Sequence, residues 1–155
     1  HATTGLCLEA LSDHFESTSP PQSVLDVGTG SGILAMACAA LGAPEVIACD
    51  IDSAACQVAA DNIQQNQLTR QISITDRPLD EIPGQYDLVL ANILATPLKL
   101  LAPLLCGHVA PQGDLVLAGI LARQVDELKA AYAPYLALSV FDESEGWVLM
   151  GAHAP

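Results

Sequence analysis

The segment Gly28-Thr29-Gly30-Ser31-Gly32 follows directly on the short apolar run 23–27. Glycines spaced in this way let the main chain turn tightly and approach a ligand at the carboxyl end of a strand, where open α/β sheets bind theirs. A dinucleotide fingerprint wants its third glycine where Ile33 stands, which counts against nicotinamide and flavin dinucleotides. The pattern better suits a nucleoside that carries an amino-acid end in place of a pyrophosphate, with Gly28 and Gly30 beside that end. Asp50 closes the next apolar run, within a few residues of the spacing of about 20 expected for an acid that grips ribose hydroxyls. Such a carboxylate contributes about 1.5–3 kcal/mol per charged hydrogen bond before desolvation losses, and it would reject a 2′-phosphate. Asn92 ends a further run and offers donors and an acceptor in one amide. It either holds the ligand's amino-acid portion, orients an incoming amine, or caps the following helix. Asp52 reads as a turn or cap residue, and Asp76 as either an adenine contact or a solvated loop acid.

Other chemistries find no support. His1, His14, His108 and His153 show no metal-ligand spacing, there is no nucleophile elbow or phosphate loop, and no metal is expected. Trp147 reads as a packing residue. The five cysteines are odd in number and form no CxxC pair, so they are expected as free thiols of a reducing, cytoplasmic environment. Eighteen acidic residues against five Lys and Arg give a formal charge of −13. That surface is unsuited to nucleic acid, whose affinity rests on cations displacing counterions. It either draws in a basic partner or serves solubility. No apolar stretch approaches the length of about 20 residues that spans a bilayer, so no membrane is expected as a partner. The oligomeric state is left open.

To position the turn and the two polar residues, several strands must end at one edge. Residues 23–27, 45–50, 71–75, 86–91 and 114–118 read as strands, separated by helices at 33–41, about 53–66, from Pro97 to near Gly107, and around 125–133. Ser53 is a plausible cap for the second of these helices. The alternation implies a parallel sheet covered on both faces. The last two strands, about 136–141 and 147–151, have only residues 142–146 between them, too few for a crossover helix, so they form an antiparallel hairpin. Before the first strand, residues 3–17 suit an amphipathic helix capped by Thr3 or Thr4. The expectation is one α/β domain over residues 1–155, with a Rossmann-like, doubly wound, mostly parallel sheet and a C-terminal antiparallel hairpin.

Taken together, these segments resemble the PrmA family of methyltransferases, which modify large-subunit ribosomal protein L11. The resemblance rests on His1-Ala2-Thr3-Thr4 with Leu6-Cys7-Leu8, on residues 26–35, on Asp50-Ile51-Asp52, on Ala91-Asn92-Ile93-Leu94-Ala95, and on Gly119-Ile120-Leu121. It implies a class I methyltransferase fold with S-adenosylmethionine as cofactor, and Thr4, Gly28, Asp50 and Asn92 at donor-binding positions. It further implies transfer of methyl groups to lysine side chains and the N-terminal amine of a basic ribosomal protein in the cytoplasm. Family members commonly carry Pro where Ala2 stands and Cys where Thr29 stands. They also carry an N-terminal substrate-recognition domain, which is expected to lie outside this sequence.

Overall fold

Runs rich in Val, Ile and Leu, apolar on both faces, become the strands of a sheet covered by helices on each side. In the computed structural model, which describes residues 1–155, the elements in chain order are α1 (Ala2–Phe15), β1 (Ser23–Val27), α2 (Ile33–Ala40), β2 (Glu45–Cys49), α3 (Ser53–Gln65), β3 (Ile72–Thr75), β4 (Tyr86–Asn92), α4 (Ala95–Leu100), α5 (Ala102–Gly107), β5 (Val109–Leu121), α6 (Val125–Tyr132), β6 (Ser139–Ser144) and β7 (Trp147–His153). The strand order is β3-β2-β1-β4-β5-β7-β6, with β1 to β5 parallel and the β6–β7 hairpin antiparallel. The doubly wound fold with a terminal hairpin is therefore as expected. No helix is long and apolar enough to cross a membrane.

Two cores flank the sheet. One contains Val24, Leu88, Leu90, Val116 and Ala118 with α1, α2 and α3; the other contains Leu25, Val27, Val89, Ala91, Leu115 and Leu117 with α4, α5 and α6. The alternation along each strand is the two-residue period of the pleat. Because β1, β2 and β4 run parallel and in register, Val27, Cys49 and Ala91 lie side by side at one carboxyl edge.

Several boundaries differ from the sequence expectation. Helix α1 starts at Ala2, and its cap is His1, whose Nδ1 accepts from the Thr3 amide at 3.2 Å; neither Thr3 nor Thr4 caps it. Asp52, not Ser53, caps α3, accepting from the Ala54 amide at 2.9 Å. The helix expected after Pro97 is two short ones that part at Leu101. Pro103 lacks the amide hydrogen that would continue the ladder to the Lys99 carbonyl, and it is tolerated in the first turn of the second helix, so the first helix stops before it. Strand β5 extends in both directions beyond residues 114–118, through Gln112 at φ 66 and a shift in register against β4. Strand β6 begins later than expected, because only Glu145 and Gly146 form the hairpin turn. Both have positive φ, 54 and 83, as the tight mirror-image turn of a two-residue hairpin requires.

Candidate functional site

The glycine turn is tied down residue by residue. Gly28, Gly30 and Gly32 have φ of 72, 57 and 86, a region that penalises any side chain. The amides of Gly28 and Thr29 both donate to the Cys49 carbonyl, at 2.9 and 3.0 Å, which binds the turn to the end of β2. The Thr29 hydroxyl donates to Asp26 Oδ2 at 2.8 Å, the Gly30 amide donates to Asp50 Oδ2 at 3.0 Å, and Asn62 Nδ2 donates to the Ser31 carbonyl at 2.9 Å. Three side chains from β1, the β2 end and α3 thus hold three successive turn residues.

Asp50 joins the turn to the second strand. Its Oδ1 accepts from the Asp52 amide at 3.0 Å while Oδ2 takes Gly30. A carboxylate has about four lone-pair sites, so two are left for a ligand. The residue is half-buried and lines, with Gly28, a cleft of about 510 Å³. The walls of this cleft are mainly apolar, with Val27, Cys49, Ile93, Leu79 and Leu101 among the lining residues. Ile51 and Leu100 stand at its lip with 85% and 77% of their surface exposed, much more than apolar side chains of a closed core retain. The Leu79 wall is fastened by the buried His108, whose Nε2 and Nδ1 lie 2.9 Å from the carbonyl oxygens of Leu79 and Gly84. A larger hollow of about 620 Å³ lies among Asp13, His14, Asp87 and Asp114 at the opposite edge. Prolines are its only apolar lining residues and it contains none of the candidate residues, so the smaller cleft is the one matched to a nucleoside.

Thr4 and Asn92 occupy the same edge on the other face. The His1 ring packs edge-on to Trp147 at 5.2 Å, and Trp147 pairs with Leu121 at the carboxyl end of β5. His14 lies 3.7 Å from Asp114, nearer the start of that strand. Helix α1 therefore runs antiparallel to β5 and brings Thr4, in its first turn, to the carboxyl edge. Asn92 is half-buried, pairs with Ala118, and continues the even-numbered set Leu88 and Leu90 that faces α1 and α2. Neither Thr4 nor Asn92 lines the apolar cleft. Asp76 is exposed and lies outside it too; Arg77 and Asp80 line it instead.

Beneath the turn, Asp26 is 2% exposed. Burial pushes its carboxyl up to about 6, against the stabilising pull of the Thr29 hydroxyl and the Ala35 amide. Cys7, Cys38 and Cys49 are buried close enough to feel its charge, and burial first, then that charge, raises their thiols, to about 12 at Cys7 and Cys49. They are packing residues, free as expected. Asn62, His108 and the close approach of Ile93 to Gly28 and Gly119 were not foreseen from the sequence. The isolated glycine at 119, inside a strand, was the one available signal.

A seven-stranded sheet of this order, with the ligand edge at the ends of β1, β2 and β4, defines the class I methyltransferase fold. The family model for ribosomal protein L11 methyltransferase (PrmA) matches residues 1–154, and the chain belongs to that family. A ribosomal protein L11 methyltransferase from Syntrophotalea carbinolica is 54% identical over 133 residues, covering 86% of this chain and 43% of the relative. One from a Polaromonas species is 52% identical over 152 residues, covering 98% and 50%. The chain thus spans about half the length of these curated relatives. A crystal structure of ribosomal protein L11 methylase from Lactobacillus delbrueckii subsp. bulgaricus superposes with a TM-score of 0.89 at 31% identity, covering 100% of this chain and 80% of that one.

Proposed function

We propose that the carboxyl rim binds S-adenosylmethionine and that the chain carries the methyl-transfer site of an N-methyltransferase acting on lysine and N-terminal amines of ribosomal protein L11, in the cytoplasm. The observation that carries this reading is the dual use of Asp50. One carboxylate is locked to the glycine turn and to its own strand end, yet keeps acceptor capacity for two vicinal hydroxyls.

The remaining residues fit the same ligand. Gly28 lines the cleft with its main chain, and the apolar cleft beyond Asp50 suits a purine. Ile33, 47% exposed in the first turn of α2, stands where a pyrophosphate would need bare main-chain amides. The chain's formal charge of −13 favours a cation over a polyphosphate.

Once bound, the sulfonium supplies an electrophilic methyl group for in-line attack by a neutral amine. Asp50 and the turn fix the orientation of the donor, and alignment accounts for most of the acceleration. A lysine must first lose its proton, at a cost of about 4–5 kcal/mol at neutral pH. Asp26 is sealed beneath the turn and is no base for this step. The Asn92 amide oxygen accepts one hydrogen of the deprotonated amine, which aims its lone pair, and the proton released after transfer passes to water. Thr4 closes the edge from the α1 side.

The test is incubation with ribosomal protein L11 and methyl-labelled donor, read by mass spectrometry. Methyl-sized increments on lysine or the N-terminus are expected, and Asn92→Ala should lower turnover strongly. Turnover unchanged in that variant removes Asn92 from the mechanism. Donor binding without any transfer to L11, by this chain and by a full-length protein carrying the recognition domain alike, assigns the site to another acceptor.

A further inference from the structure

The segment between Asn92 and α4 has no side-chain hydrogen bond to hold it, yet it crosses the rim between the donor turn and the end of β5. What holds it is Ile93. A methyl group added at Gly28 would stand 2.5 Å from Ile93 Cγ2. One added at Gly119, where φ is +87, would collide with the Ile93 carbonyl oxygen and carbon. The side chain of Ile93 therefore fills the space left by one glycine, just beyond β1, and its main chain fills the space left by another, within β5. The residue also lines the apolar cleft, and it follows Asn92 directly.

We propose that Ile93 is a positioning residue. Clamped between Gly28 and Gly119, it sets the depth of the donor turn relative to Asn92 and so couples donor placement to acceptor placement. The inference rests on the reading of the rim as an S-adenosylmethionine site. It goes further, because it assigns the coupling to a specific atom: Cγ2 of Ile93, the branch that a leucine lacks and a valine keeps.

That difference supplies the test, with S-adenosylhomocysteine affinity measured by calorimetry on the full chain. Gly28→Ala should weaken binding about 10- to 100-fold, the range that forced overpacking produces. Adding Ile93→Leu, which removes the obstructing branch at constant volume, should recover the part of that loss caused by the collision and leave the cost of the left-handed φ at position 28; adding Ile93→Val should recover none. Gly119→Ala should resist rescue by either, because there the obstacle is main chain. If Gly28→Ala alone does not fold, recovery of folded protein with Leu but not with Val reads the same way. Equal rescue by Leu and Val, or none by Leu, overturns the proposal. Failure of the unaltered chain to bind the homocysteine is a separate result, which sinks the donor-site reading. The Leu-versus-Val contrast in the urea midpoints of the same variants then still decides whether Ile93 Cγ2 is the clamp.

Discussion

The rims of β1–β2 and β4–β5 meet at one edge but are held by different physics. At the first, Thr29, Gly30 and Ser31 are each tied by a hydrogen bond to a side chain from another element. At the second, the segment after Asn92 is held by shape, with Ile93 fitted against Gly28 and Gly119. Hydrogen bonds are directional and forgive small changes in volume, whereas a close-packed fit is lost to a single methyl group. The two rims should therefore fail in different ways when altered.

The largest effect is expected at the packed rim. Gly119→Ala should cost about 3 kcal/mol or more of stability, combining an unfavourable φ with a main-chain collision, read as a lowered urea midpoint. A loss within the ordinary range of surface substitutions would mean that the β5 end yields easily and the contrast is false.

Next comes pH, which acts at the tethered rim alone. The Asp26 carboxyl rises from the usual 3.8 to about 6 on folding, so the folded state binds more protons between those values. Its contribution to stability is complete below pH 4 and declines as pH rises through 6, by on the order of 3 kcal/mol for a shift of this size. Asp26→Asn should flatten that part of the stability profile, and an unchanged slope in the variant would place the titration elsewhere.

Asp50→Asn should weaken S-adenosylhomocysteine binding by about 10- to 100-fold, the equivalent of one or two charged hydrogen bonds. Its effect on folding should be smaller, since an amide oxygen still accepts one of the two main-chain bonds. The smallest effect is expected for Asn62→Ala, about 0.5–1.5 kcal/mol for a single hydrogen bond to the Ser31 carbonyl. A larger loss there would show the three tethers to be cooperative.

Much of the tethered rim was legible in the sequence because its signals are local. The glycines, the apolar run before them and the acid ending the next run all lie within residues 23–50. The packed rim was not legible in the same way, since Gly28, Ile93 and Gly119 meet only once β1, β4 and β5 are paired. The role of His108 was not legible, because its partners are two carbonyls and carry no residue identity. The β6 boundary was misjudged for a related reason: it is an edge strand, exposed over nearly its whole length, so no burial pattern marks it. Asn62 reads as an ordinary polar position on a helix, and only the fold turns it toward the glycine turn.

The central claim is that the carboxyl rim is a cradle for a sulfonium nucleoside and not for a dinucleotide. Calorimetric titration of the chain with S-adenosylhomocysteine and, separately, with NAD tests it most directly. The account predicts saturable binding of the first at one site, weakened by Asp50→Asn, and no heat with the second. Saturable NAD binding with none for the homocysteine would contradict it.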